Sequence, residues 1–442
     1  MTILLNDATL WGAEPGADRG ETRDVLIDDG TITQIGTAIS SPGATEVDCS
    51  RMLVTPGFVD THTHFWQSLF PSRASDAWGM EFWGIMLPLA SWLTPDDVYA
   101  ATRYGAAQSM RNGVTTVFDY CHCIISPEHA DAAVRALEDS GINAVFGYDL
   151  QGNDPAKRGS LGPSSARFDD LARVVADLRG RASDIAIAAC LSNLGVIPFD
   201  ETIAEIQFVR SLGLMMSFHN NEPDEIVALD RQGHFAADIL PVHSNFVTDA
   251  DLDVMQRCGS VLSTQPEVEM ASGRRPLEMV KAAHARGIPV SLGTDCPAMV
   301  NLGMLPQLRT LYTLQRVMDG AKERHTGRFP VQRRPGLPTF AAHDLMRCGT
   351  ANGAQALGLG RTTGVIAVGR RADLVLFDFS ETGMSRDNLA ANVVLNANES
   401  MINAVMVKGK FVKRDGRMVN QDLAAIETDR MSAERRVLGR MS

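Results

Sequence analysis

Histidine and acidic side chains recur in this chain directly after short apolar segments that have the composition of buried β-strands. His62 and His64 end the first segment, and their spacing places both imidazoles on the same side of an extended strand. His219, His243 and Asp295 lie at the ends of three later segments. Imidazoles and carboxylates gathered in this way can coordinate a divalent cation and leave a group free to move protons. The pattern therefore predicts a metal-dependent active site.

The elements that must position these side chains are eight apolar segments between Met52 and Asp295, separated by helical stretches. This alternation predicts an α/β fold, a (β/α)8 barrel. One helix is well marked, with Thr94 as N-cap, Pro95 at its first position and Gly113 past its end. Because the carboxyl ends of all barrel strands meet at one rim, the residues that follow the segments are expected to share one site.

The two ends of the chain have a different, β-rich pattern. Asp29-Gly30 marks a hairpin turn near the start, and Lys408-Gly409 marks another near the end. We expect both regions to form one small β-sandwich, with the barrel as an insertion between them. The sequence does not decide whether the terminal helix packs on the barrel or on another subunit. The predicted organisation is a first sandwich part over 1–56, the barrel over 57–363, a second sandwich part over 364–420 and a terminal helix over 421–442.

Composition narrows the classes of function. The chain has 442 residues, 45% of them hydrophobic, and a formal net charge of −12, with no basic patch, which argues against nucleic-acid binding. The sequence has no pattern typical of a leader peptide and no apolar stretch long enough to suggest a membrane segment. Its seven cysteines lack the spacing of a disulfide framework and suit a reducing compartment, so a cytoplasmic protein is expected. Cys121 and Cys123 flank His122, but a structural zinc site needs four ligands and no second pair is near.

Four motifs together resemble the amidohydrolase superfamily: VTPGFVDTHTHFWQ, the His219-x-x-Glu222 element, His243 before VTDADL, and SLGTD ending at Asp295. Within that superfamily the chain is similar to the branch of cytosine and guanine deaminases and triazine hydrolases. The resemblance covers nearly the whole length, including the terminal β regions. It implies the barrel fold and a hydrolytic reaction.

The resemblance also implies roles for individual residues. Glu222 would act as proton shuttle, and His243 would orient or polarise the attacked group. Asp295 would belong to the same catalytic set. Gln67 matches a substrate-contacting position of the branch. The fourth segment, IAIAACLSN, lacks the lysine that bridges two metals in other members, which favours a mononuclear site. The implied ligands of one divalent metal per chain, Zn²⁺ in preference to Fe²⁺, are His62, His64, His219 and Asp295.

Two regions leave alternatives open. After the seventh segment the branch usually has a histidine, whereas this chain has Thr264 and Gln265, followed by Glu267 and Glu269. These two glutamates either recognise ring N–H donors or a cationic substituent of the substrate, or they are solvated loop carboxylates. Residues 65–92 are rich in Phe and Trp and form either an apolar lid over a flat ring, with Trp66 as a substrate contact, or part of a packed core. His122 either lines the pocket or packs elsewhere.

The function predicted from these features is hydrolytic deamination of an amino-substituted nitrogen heterocycle, such as a purine, pterin, pyrimidine or triazine. An alternative is hydrolysis of a ring chloride or a cyclic amide C–N bond at the same site. A non-catalytic metal-binding or ligand-binding protein is a third reading, against which the presence of Glu222 argues. The expected partner is a small-molecule heterocycle, and a homodimer or larger homo-oligomer is left open.

Overall fold

A computed structural model of the chain describes residues 1–13, 22–151, 164–273, 277–324, 340–419 and 421–441. The strands are β1 (Thr2–Leu10), β2 (Thr22–Asp28), β3 (Thr31–Gly36), β4 (Thr45–Asp48), β5 (Met52–Pro56), β6 (Phe58–Thr63), β7 (Val114–Cys121), β8 (Asn143–Asp149), β9 (Ala186–Cys190), β10 (Met216–Asn220), β11 (Ile239–His243), β12 (Leu262–Thr264), β13 (Val290–Leu292), β14 (Leu374–Asp378), β15 (Ile402–Val407), β16 (Lys410–Arg414) and β17 (Arg417–Met418).

The α-helices are α1 (Met80–Ala90), α2 (Pro95–Arg111), α3 (Pro127–Ser140), α4 (Ser164–Gly180), α5 (Phe199–Ser211), α6 (Glu225–Arg231), α7 (Asp249–Cys258), α8 (Pro266–Ala271), α9 (Glu278–Ala285), α10 (Met304–Arg324), α11 (Ala342–Cys348), α12 (Ala351–Ala356), α13 (Leu389–Ala391) and α14 (Leu423–Met441). Short 3-10 helices cover Phe65–Leu69 and Glu399–Met401, and a π-helical turn covers Asn392–Asn396.

Strands from both ends of the chain form one nine-stranded sheet. β5 joins its two halves, because it pairs with β1 from the amino-terminal region and with β14 from the carboxy-terminal region. The first apolar segment, from Met52 to His64, was expected to be one strand, although the predicted domains divide the chain between residues 56 and 57. It is instead two strands, since β5 belongs to the terminal sheet and β6 begins the barrel after Gly57. The terminal strands thus form a separate domain beside the barrel, as the sequence predicts.

β6 to β13 form an eight-stranded parallel sheet in chain order, with helices between successive strands. The ends of the sheet meet where Thr63 pairs with Asp295, and the Asp295 amide donates to the His62 carbonyl oxygen at 2.8 Å. Gly293 permits this closure, because a Cβ there would lie 2.6 Å from the same carbonyl oxygen. The predicted (β/α)8 barrel is confirmed, and its closing seam runs through residues of the expected site.

α2 and α14 pack together on the outside of the barrel. α2 begins as the sequence predicts: the Thr94 hydroxyl accepts from the Asp97 amide, and the Asp97 carboxylate accepts from the Thr94 amide. Arg436 and Arg440 of α14 pair with the same buried carboxylate. The terminal helix therefore packs on the barrel of its own chain. Within the described ranges, no helix combines the length and the apolar composition needed to cross a bilayer.

Candidate active site

The ends of β6 and β13 bring His62, His64 and Asp295 together at the barrel rim. Asp295 Oδ1 lies 3.3 Å from His62 Nε2 and 3.2 Å from His64 Nε2. All three side chains are buried. The strand period of two explains why the two histidines share a side, and the Thr63–Asp295 pairing explains why the carboxylate meets them.

β10 and β11 contribute the remaining imidazoles. His219 and His243 stack with ring centroids 5.4 Å apart, and the His62 ring lies edge-on to both, at 5.1 and 5.4 Å. One ligand atom from each of these three histidines lies within 4.8 Å of the others, and the same holds for the triplet of His62, His64 and Asp295. The structure therefore assembles three imidazoles and one carboxylate around the imidazole of His62.

The backbone is strained at two of these residues. His243 has φ of +67° and Asp295 has φ of +62°, a left-handed conformation that non-glycine residues seldom adopt. Ser244, next in the chain, has φ of +57°. Such residues cost about 1–3 kcal/mol each and persist where the surrounding structure holds them. Here the strand ends turn sharply so that both side chains point into the same cluster.

The pKa values of three residues in the cluster are shifted. Burial lowers the pKa of His62 to about 3, and together with the neighbouring His62 ring it holds the pKa of His219 well below its usual range. Burial alone would raise the pKa of Asp295, but His243, His62 and His64 outweigh it and hold that pKa well below its usual range. Neutral imidazoles and an ionised carboxylate are the protonation states that bind a metal.

The donor set fits a divalent metal ion. Bonds of about 2.0–2.2 Å in a tetrahedron place neighbouring ligand atoms about 3.3–3.6 Å apart, and the two Asp295 distances are close to the lower end of this range. Neither ring nitrogen of buried His62 makes a hydrogen bond with a described residue. His64 Nδ1 contacts the Tyr120 carbonyl oxygen at 2.8 Å and His219 Nδ1 contacts Asn193 Oδ1 at 3.1 Å, which leaves Nε2 of each ring for a metal.

A cavity adjoins His219 on the side of β7 to β9. Its wall includes Tyr120, His122, Asp149 and Asn193, and Trp83 and Leu87 of α1 cover it. The 65–92 segment therefore does contribute apolar residues to the cavity. The contribution comes from α1, since Trp66 is buried in the core and its indole N–H donates to His122 Nδ1 at 2.9 Å.

The Trp66 hydrogen bond fixes the orientation of His122. An indole N–H can only donate, so Nδ1 of His122 is the acceptor and the proton of the neutral ring sits on Nε2. Trp66 thus acts on the cavity through His122, and a direct contact between Trp66 and substrate stays a prediction.

Gln67 is fully buried, and neither atom of its amide hydrogen-bonds to a described residue. Leaving such a group without a partner costs about 1–3 kcal/mol, so a native structure that keeps one usually supplies a water, an ion or a ligand. Asn245 Oδ1 and the Ser244 hydroxyl share this property at the end of β11. The predicted contact between Gln67 and substrate stays a prediction.

Glu222 lies three residues after His219, in the turn between β10 and α6. Its side chain is exposed, unlike the ligand cluster. The turn is held by Glu225, whose Oε2 accepts from the amides of Asn221 and Glu222 at 2.9 and 3.2 Å and from the Asn220 side chain. Glu222 thus lies at the rim beside the site and is not one of the residues whose ligand atoms form the cluster.

The two glutamates after β12 have different surroundings, which the sequence did not separate. Glu269 is fully buried, and its Oε1 lies 3.3 Å from His243 Nδ1. It is therefore not a solvated loop carboxylate, and its contacts are with the protein. Glu267 is half-buried and accepts from Gln307 Nε2 of α10 at 3.0 Å. Its predicted contact with substrate stays a prediction.

A model of the amidohydrolase family matches residues 53–412, most of the chain. This chain belongs to the amidohydrolase family. Among curated relatives, it is 26% identical to the 5'-deoxyadenosine deaminase of Methanosarcina mazei, over 98% of each chain. It is also 26% identical to the 5-methylthioadenosine/S-adenosylhomocysteine deaminase of Desulforamulus reducens, over 93% of this chain and 94% of the relative.

Solved structures of similar fold cover nearly the whole of this amidohydrolase. An adenosine deaminase from Xanthomonas campestris with bound zinc has a TM-score of 0.83 at 21% identity, over 99% of this chain and 98% of that one. Atrazine chlorohydrolase from Arthrobacter aurescens in complex with zinc has a TM-score of 0.80 at 18% identity, over 98% and 100% of the two chains. At these identities the likeness establishes the fold.

Proposed function

We propose that this amidohydrolase is a zinc-dependent deaminase that hydrolyses the exocyclic C–N bond of an amino-substituted nitrogen heterocycle, with 6-aminopurine nucleosides as the first class to test. The observation that carries the proposal is the buried cluster of His62, His64, His219, His243 and Asp295 beside a cavity. The curated relatives named as deaminases of 5'-deoxyadenosine and 5-methylthioadenosine support the substrate class.

The cavity suits a ring that carries polar groups. Trp83 and Leu87 offer apolar surface for a flat heterocycle, and Asp149 and Asn193 offer polar contacts in the same cavity. The buried amide of Gln67 supplies a donor and an acceptor for a substituent of the substrate. These features support a planar, hydrogen-bonding substrate.

The proposed roles follow from position. His62, His64, His219 and Asp295 would hold a divalent ion, which would supply a water-derived nucleophile at neutral pH. Glu222 takes the proton of the attacking water and delivers it to the leaving amine. A C–O bond forms, the C–N bond breaks, and ammonia leaves. His243, within the cluster, orients the water or polarises the attacked group.

The chain's cysteines support an intracellular setting for this enzyme. All seven are free. Free, mostly buried thiols are typical of a reducing compartment, and we place the protein in the cytoplasm on this ground.

The test is ammonia release by zinc-loaded protein from 5'-deoxyadenosine, 5'-methylthioadenosine, S-adenosylhomocysteine, aminopterins, aminopyrimidines and amino-triazines. Release from one class, at a rate well above that of the other classes, supports the proposal and identifies the ring. Release of chloride from a chlorotriazine, or of a ring-opened acid from a cyclic amide, without ammonia from any amino compound would overturn deamination and establish the alternative leaving group.

A further inference from the structure

Glu269 makes a set of contacts that the proposed roles do not use. It lies on α8, directly after β12, with none of its surface exposed. The Gln265 amide donates to Oε1 at 3.0 Å, and the Thr264 hydroxyl and the Asn245 side-chain amide donate to Oε2 at 2.7 and 3.3 Å. Both oxygens of this buried carboxylate are therefore occupied by protein donors.

The fourth contact is with His243. Oε1 lies 3.3 Å from His243 Nδ1, and the Gln265 side chain accepts from the His243 backbone amide at 3.1 Å. Gln265 therefore holds the backbone of His243 and Glu269 holds its ring, at the residue whose φ is +67°. A strained backbone needs such support to persist.

The direction of the hydrogen bond fixes the tautomer. A carboxylate only accepts, so the proton between the two groups sits on His243 Nδ1. The other nitrogen, Nε2, lies on the side of Asp295, 3.9 Å from Oδ2. We infer that Glu269 is a positioning residue that fixes His243 with its proton on Nδ1 and its Nε2 lone pair toward the ligand cluster.

The contacts between Glu269 and His243 do not depend on the proposed function. Their effect on the reaction rests on the proposed function. The proposed role of His243 has two versions, orienting the attacking water or polarising the attacked group. A ring with its proton on Nδ1 and its Nε2 lone pair toward the cluster accepts a hydrogen bond there and cannot donate one. Glu269 therefore selects the first version, in which His243 orients the water.

The direct experiment is ¹⁵N NMR of zinc-loaded protein with labelled histidine. The His243 ring is assigned from the signals lost in His243→Asn. We expect protonated Nδ1 and unprotonated Nε2 in the parent protein and in Thr264→Val, which removes a hydrogen bond from Glu269 Oε2 and leaves the contact with His243. In Glu269→Ala the Nδ1–H signal should disappear or exchange rapidly. Protonation of Nε2 in the parent, or an unchanged ring in Glu269→Ala, would overturn the inference.

Kinetics provide a second readout on the same variants. Loss of a hydrogen bond that orients a site histidine costs about 10–100-fold. Glu269→Gln preserves shape and should therefore lower kcat by about that factor, with KM within about threefold and zinc content unchanged. Thr264→Val should stay within about threefold of the parent. If Glu269→Ala fails to fold, Glu269→Gln still decides, because an unchanged kcat together with an unchanged His243 signal contradicts the inference.

The two failures are distinguishable. Absence of ammonia release from every compound overturns the proposed function but leaves the NMR result intact. An NMR result with the opposite tautomer overturns the role of Glu269 even when the protein is an active deaminase.

Discussion

The loop after β10 and the loop and short helix α8 after β12 each carry a glutamate close to a site histidine. The two glutamate side chains differ in how far the protein fixes them. Glu222 is exposed in a turn whose backbone is held by Glu225. Glu269 is fully buried, and four protein groups contact its two oxygens. One carboxylate is free of the core and the other is part of it, although both follow a strand that ends at the same rim.

The difference teaches what each loop can do. A proton carrier must reach both the attacking water and the leaving group, which an exposed side chain at the rim can do and a carboxylate fixed by four contacts cannot. A fixed carboxylate can orient a neighbouring ring through a permanent hydrogen bond. The loop after β10 is therefore suited to moving a proton, and the loop after β12 to holding His243 still.

The largest effect is expected from removing a ligand of the metal that both glutamates are proposed to assist. Asp295→Ala or His62→Ala deletes a ligand from the buried cluster, and we expect loss of bound zinc and a fall in turnover of at least about 10³-fold, since a catalytic metal contributes several kcal/mol. Metal analysis with an ammonia assay measures both. A variant that kept its zinc and its turnover would contradict the ligand assignment.

Glu222→Gln should separate metal binding from proton transfer. The amide cannot take a proton, so we expect turnover to fall by about 10²–10⁴-fold while zinc content and melting temperature stay at the parent values. The effect should exceed that of Glu269→Gln in parallel assays. If Glu269→Gln were the more damaging, or Glu222→Gln retained full turnover, the division of labour between the two loops would be wrong.

Glu225→Gln tests whether the turn that carries Glu222 needs its support. The Glu225 carboxylate accepts from two successive backbone amides and from the Asn220 side chain, and an amide can satisfy only part of this set. We expect kcat to fall about tenfold with zinc retained. The comparison with Glu269→Gln shows which support matters more, and an unaltered kcat would mean that the turn holds its shape without the carboxylate.

The smallest effect is expected at Glu267, the half-buried neighbour of Glu269. Burial first, and Glu399 second, raise its pKa to about 7. Because this pKa exceeds that of the unfolded chain, the folded protein binds more protons between those pH values, and its free energy of unfolding falls as pH rises toward 7. Glu267→Gln removes this pH dependence. Relative to that of the parent, its free energy of unfolding should therefore rise by about 1–2 kcal/mol from pH 5 to pH 8, after allowance for solvent screening.

Denaturant unfolding of the two proteins at both pH values measures that difference. A rise in KM for the best substrate would instead support the predicted substrate contact of Glu267, and a parallel pH dependence in both proteins would contradict the stability argument.

The barrel and the residues of the cluster could be predicted because they follow from local rules. Alternation of apolar segments with helices predicts the barrel, and barrel geometry brings strand ends to one rim. The spacing of His62 and His64 then predicts a shared side. These inferences need no knowledge of which side chains touch.

Other features depend on contacts between distant segments and could not be predicted. The first segment is continuous in composition, and only its pairing with β1, β14 and β7 divides it into β5 and β6. Glu267 and Glu269 differ by two positions on a short helix, and which one is buried depends on Asn245 and His243 from the neighbouring strand. Trp66 and Trp83 both lie in the aromatic-rich segment, and the sequence does not separate their roles. Trp66 donates a hydrogen bond to His122, whereas Trp83 lines the cavity.

The measurement that tests the central claim most directly is ammonia release from one responsive aminopurine by the same protein sample in three states: as purified, after removal of metal by a chelator, and after addition of zinc. The account predicts release in the first state, loss in the second and recovery in the third, with about one zinc bound per chain. Equal release before and after removal of the metal, with the metal content verified, would contradict it.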